Sequence, residues 1–177
     1  SAMIKSAGMH WRSAHVGGAP FSVEQMMKMA KTAEDSARLK KIAEGMKDRP
    51  KSLNLRDNYQ ELANAAAEGG ISYLVCSSIP VSTLDEIKQA VDVFNKSGEA
   101  CKKAGVQFAY HNHTSEFDEV EGHRPFDYIL SNTDKNLVKM ELSLPLLSVD
   151  GVSPFSSFMT FSKKVLKPMG SICDLVM

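Results

Sequence analysis

One phrase recurs along this chain of 177 residues: a helical stretch, a glycine stop, a short apolar run and a polar loop. Gly69-Gly70 precedes the run Ile71-Ser-Tyr-Leu-Val-Cys76, and Ala104-Gly105 precedes Val106-Gln-Phe-Ala-Tyr110. Glycine past a helix end supplies the left-handed turn that closes it. A nearly unbroken apolar run marks a strand buried on both faces, as in parallel sheets. Strand and helix in alternation predict an α/β fold with right-handed crossovers.

The individual elements follow from local signals. Ile4 to Ala7 reads as a last helical turn closed by Gly8, and Met9 to Val16 as a strand ended by Gly17-Gly18. Ser22 to Gln25 fits a capping box. The helix after it has a weak apolar stripe (Ala33, Ala37, Leu39, Ile42, Met46) and many lysines, which predicts a surface excursion. Asp57 to Gln60 reads as the cap of another helix, with Tyr59, Leu62, Ala63 and Ala66 inward. Thr83 to Glu86 is a second capping box, and the helix it opens runs with Leu84, Ile87, Val91, Phe94, Gly98 and Cys101 on one stripe. A helix from Pro125 and a strand over Leu137 to Leu142 follow; Pro154 to Phe161 and Gly170 to Val176 read as a further helix and strand.

This order suits a doubly wound sheet or a (β/α) barrel. No GxGxxG or GxxxxGK[ST] follows any strand, so the nucleotide-binding versions lose support. A whole eight-fold barrel runs to about 250 residues and seldom below about 200, more than four or five strands here can supply. Lys+Arg and Asp+Glu number 21 each, so bulk positive charge for nucleic acid is missing and no nucleic-acid partner is expected. No apolar run approaches the ~20 residues of a membrane helix. Cys76, Cys101 and Cys173 are odd in number and widely spaced, which predicts reduced thiols and a cytoplasmic protein. Ser1 to Lys5 does not read as a signal peptide; it reads as a cloning remnant or as a start inside a longer parent.

The polar residues gather at strand ends. His15 closes the first strand, His111-Asn112-His113 the third, and Glu141 and Ser143 the fourth. Parallel strands present these ends on one side of the sheet, where α/β enzymes place their chemistry. Alternation puts His111 and His113 on one face, with Asn112 opposite, and pairs Glu141 with Ser143. Imidazole and carboxylate from neighbouring strands can hold a divalent metal or act as acid and base. The structural alternatives are a hydrogen-bonded histidine at each His position and a buried salt bridge from Glu141 to Lys or Arg. His10 and His123 read as surface residues, and Cys76 as packing rather than a nucleophile.

At these residues the chain resembles a known family. Ser13 to Gly17, Tyr73 to Cys76 with Ser78 and Pro80, Ala104 to His113, Glu116-Phe117 and Leu137 to Leu142 recur in that order. Together they resemble the sugar phosphate isomerase/epimerase group of the xylose isomerase-like TIM barrels, over about residues 4–144. The resemblance implies an incomplete (β/α)8 TIM barrel, with residues 1–177 a single domain and a divergent tail from about residue 145. It implies a small sugar or sugar phosphate as ligand and a divalent metal (Mn, Zn, Co or Mg) at the mouth of the barrel. His111 falls where many members place a ligand Glu, and His15 matches a histidine common near the substrate. Glu141 matches a strand that in relatives reads Met-Glu-Leu-Asp, with Ser143 at the Asp position. The implied roles are Glu141 and His113 in proton transfer, His15 and Asn112 on the substrate, and His111 and Glu141 on the metal. A hydroxyl at Ser143 is a poor ligand substitute, and the later ligand strands are not found. An isomerase or epimerase is therefore expected, weak or inactive as this chain. A sugar-binding or vestigial half-barrel is the alternative, and an endonuclease IV-type phosphodiesterase, which needs more His and Asp residues and a basic groove, stands third. Open sheet edges would favour pairing with a second copy, a longer parent or marginal stability.

Overall fold

A computed structural model describes residues 6–20, 27, 32–46 and 52–142. The capping box at Ser22, the expected helix at Pro154 and strand at Gly170, Ser143, Cys173 and the tail from residue 145 lie outside the described residues.

Four strands form one parallel sheet in the order of the chain: β1 (Ser13–Gly17), β2 (Tyr73–Ser78), β3 (Gln107–His111) and β4 (Val138–Glu141). Between them run α1 (Ala33–Met46), α2 (Leu55–Glu68), α3 (Leu84–Ala104) and α4 (Pro125–Asn132). A 3-10 turn over Ser115–Phe117 follows β3. Strands that neighbour in both sequence and space, with helices between them, are the (β/α) barrel arrangement, here seen in part.

The anchor of the fold is α3, and its ends are the ones the local signals predict. Thr83 is the N-cap, and its hydroxyl accepts from the Glu86 amide at 3.2 Å. The Glu86 carboxyl accepts from the Ser82 amide at 2.7 Å, so the box closes one residue further upstream than expected. Gly105 adopts φ 77°, ψ 21°, the left-handed conformation that closes the helix and turns the chain into β3. Ile87, Phe94 and Cys101 along its inner stripe are fully buried. Phe94 packs its ring against Phe108 (5.7 Å) and Tyr110 (4.7 Å) of β3. Gly98 is needed for a close approach: a β-carbon there would lie 2.8 Å from that of Leu137.

Two boundaries differ from expectation. Helix α2 starts at Leu55, capped by Asn54, whose side chain accepts from the Asp57 amide at 3.1 Å. Asn58 then leaves helical geometry (φ −133°, ψ 23°), so the signal at Asp57 marks a kink inside the helix rather than its start. Strand β1 starts at Ser13 rather than Met9, leaving Met9 and Trp11 exposed. Among the described side chains of α1 only Ala43 is buried, and Ile42 is 43% exposed, so this stretch is the expected surface excursion.

The two faces of the sheet differ in kind. Leu74, Cys76, Phe108, Tyr110, Val138 and Met140 pack into the core beneath the helices. The intervening positions form the other face, where His15, Val75, Ala109 and Lys139 stand in one row and His111 pairs directly with Glu141.

Candidate functional site

The C-terminal ends of β1, β3 and β4 bring three of the expected residues together. Glu141 Oε2 lies 3.0 Å from His15 Nε2 and 3.0 Å from His111 Nδ1. The rings of His15 and His111 are 5.6 Å apart, and His113 meets His111 edge-on at 5.2 Å. This contact reports the shape of the sheet. Strands β1 and β4 are separated by β2 and β3, about 14 Å at ~4.8 Å per strand spacing. Side chains standing upright on a flat sheet would not meet across that gap. The sheet therefore curls, with the imidazoles on its concave side. Val75 and Ala109, at the centre of that side, are fully buried.

The partners of Glu141 correct one alternative. Its ion-pair partners among the described residues are histidines, not Lys or Arg. Lys139, two residues earlier on the same strand, instead donates to the Lys135 carbonyl at 2.8 Å. The 3.0 Å separations are ion-pair distances, yet the ring N–H groups are not aimed at the carboxyl group. His111 Nδ1 and Glu141 Oε2 are buried atoms without a hydrogen-bond partner. Such orphaned buried groups carry a desolvation cost of about 1–3 kcal/mol each. Their 3.0 Å spacing equals the edge between adjacent donors around a six-coordinate cation with bonds of ~2.1 Å. The pair thus fits two positions of a metal shell. Among the described residues no group of three or more His, Cys, Asp or Glu is arranged to hold a metal.

The other expected residues sit nearby in different settings. His113 has 44% of its side chain exposed and its Nδ1 lies 3.5 Å from Glu116 Oε1. Asn112 is fully buried, between the partly exposed His111 and His113 and just past the end of β3. His10 and His123 are exposed, as expected. Burial pushes the Cys76 and Cys101 thiols up to about 12, which keeps both as inert packing groups.

One residue of the site went unassigned in the sequence. Glu116 is 2% exposed and accepts from the Tyr110 hydroxyl at 2.6 Å and the Ser115 hydroxyl at 2.9 Å. Burial, with the Glu116 carboxyl beside it, holds the Tyr110 phenol far above its ordinary range, so it remains a donor. Phe117 stacks on Phe126 of α4 at 4.7 Å and pins the same turn from its other side. The available signal was a Glu at the end of the polar stretch that runs between Tyr110 and Phe117. Its meaning depends on a turn that no periodicity announces.

A shallow cleft lies at the other end of the strands, beside Gly70, Tyr73, Gly105 and Gln107. It contains none of the imidazoles or carboxyl groups, which gather at the opposite end of the strands.

No family model matches the chain, and no curated protein matches it. Solved structures do. A sugar phosphate isomerase/epimerase from Parabacteroides distasonis superposes with a TM-score of 0.64 at 24% identity, over 90% of this chain and 51% of that one. A xylose isomerase domain protein from Planctomyces limnophilus superposes with a TM-score of 0.55 at 12% identity, over 94% and 54%. At such identities the likeness establishes the fold alone, a (β/α) barrel seen here in part. The chain spans about half the length of these proteins.

Proposed function

We propose that the concave strand ends bind a small sugar or sugar phosphate and serve proton transfer at a carbon beside its carbonyl, the chemistry of sugar isomerases and epimerases. The supporting observation is the convergence of His15, His111 and Glu141 from three strands within 3.0 Å contacts. It occurs at the strand ends of a fold shared with a sugar phosphate isomerase/epimerase and a xylose isomerase domain protein.

Each residue has a role in this reading. His111 and Glu141 would hold a divalent cation (Mn, Zn, Co or Mg), whose contribution is to polarise the substrate carbonyl. Glu141 and His113 take and return the proton, since carboxylate and imidazole are the usual side chains for that work. His15 stands across the concave face from His111 and is placed to hydrogen-bond a sugar hydroxyl. Val75 and Ala109 lie fully buried at the centre of the concave side.

Metal content is the direct test. Purified chain titrated with Mn(II), Zn(II), Co(II) and Mg(II) is expected to bind one equivalent of at least one of them. Affinity should fall at least about tenfold in His111→Ala and Glu141→Gln, the usual order for a lost ligand or its support. Absence of binding at saturating Mn(II) in folded protein overturns the metal-assisted reading and leaves a sugar-binding module. With metal bound, solvent deuterium should enter ketoses or aldoses beside the carbonyl, and that exchange should be lost in Glu141→Gln.

A further inference from the structure

We propose that Glu116 is a positioning residue for His113: its buried carboxyl group holds the imidazole with the proton on Nδ1 and leaves Nε2 as the free acceptor at the strand ends. The inference rests on the reading of His113 as a proton-moving group.

A carboxyl group at 2% exposure needs donors, and Glu116 has two hydroxyls in place. Tyr110 and His113 converge on the same oxygen, Oε1, from 2.6 and 3.5 Å, while Ser115 takes Oε2. The His113 contact is longer than a formed hydrogen bond, as contacts of this kind often are before substrate tightens them. The geometry is one-sided. Nδ1 faces a buried acceptor, and the ring is 44% exposed, so Nε2 is the nitrogen left for a ligand. A carboxyl group fixing the tautomer of a working imidazole is a general device of metal and acid–base sites. The turn itself is held rigid. Phe117 packs on buried Phe126, and Tyr110 is anchored in the core against Phe94. Glu116 therefore cannot follow His113 if the ring moves; it sets where the ring rests.

The tautomer can be read directly. The full chain labelled with 15N would be examined by long-range 1H–15N spectra at about two pH units above the ordinary imidazole pKa of ~6.5, with His113 assigned from His113→Gln. The Nδ1–H form is expected to dominate in the natural chain. In Glu116→Gln the ratio of Nδ1–H to Nε2–H should fall about twofold or more, the effect of removing the carboxylate charge that lies 3.5 Å from Nδ1. Tyr110→Phe removes the competing donor on Oε1 and should keep or raise the ratio. A dominant Nε2–H form in the natural chain, or an unchanged ratio in folded Glu116→Gln, overturns the proposal. If Glu116→Gln does not fold, a reversal to Nε2–H in Tyr110→Phe overturns it instead. The metal titration separates the two readings: failed metal binding with an intact Nδ1–H preference removes the proposed reaction and leaves this pairing standing.

Discussion

The two faces of one sheet are built from the same four strands and obey opposite rules. On the helix side, Phe108, Tyr110, Val138 and Met140 interlock with α3, and the one buried carboxyl group behind them, Glu116, has its donors in place. On the concave side, His15, His111 and Glu141 approach within 3.0 Å, yet His111 Nδ1 and Glu141 Oε2 make no hydrogen bond. Apolar packing lowers the free energy of folding wherever it is put. Converging polar atoms that satisfy one another poorly do not, and they are the arrangement expected where a ligand is to supply what is missing. The helix side holds the fold, and the concave side gathers the polar groups on which the proposed function rests.

That contrast can be broken by stability measurements. Phe94→Ala empties the space between α3 and β3 and should lose about 3–5 kcal/mol, read from the denaturant midpoint. Gly98→Ala forces a methyl group to within 2.8 Å of Leu137 and should lose about 1–3 kcal/mol, because backbone as well as side chain must shift. The smallest effect is expected on the other face. Glu141→Gln should change stability by less than about 1 kcal/mol, since it removes no formed hydrogen bond, whereas on the proposed reading it weakens metal binding at least about tenfold. A loss at Glu141 as large as that at Phe94 would erase the distinction between the faces. A gain in stability at Glu141 would sharpen it, by showing strain held for function.

Much of the fold was legible because its signals are local. Thr83 and Gly105 frame α3 by chemistry that acts within four residues, and the apolar runs at β2 and β3 need only their own side chains to declare burial. The errors were local conflicts. Asp57 has the look of a cap, but Asn54 caps the helix three residues earlier by accepting from the Asp57 amide, which leaves Asp57 inside a kinked helix. Met9 to Arg12 has the alternation of a strand, but the described pairing starts only at Ser13. The candidate site was legible as a set of strand ends and not as a geometry. Alternation was the reason to expect His111 and His113 together; their rings do meet at 5.2 Å, but the strand ends at His111 and the pleat does not extend to His113. The role of Glu116 was hidden, because it turns on a 3-10 turn that returns a carboxyl group beneath its own strand.

The sequence by itself determined the alternation of strand and helix, the parallel sheet, the caps of its longest helix and the end of each strand at which polar groups collect. These follow from propensity, periodicity and capping, all short-range. Only the tertiary structure decided that His15 would meet Glu141 across two intervening strands, and that histidines rather than a Lys or Arg would be its partners. That meeting depends on the curl of the whole sheet. Curl is the sum of twist over four strands packed against helices, and no window of residues contains it.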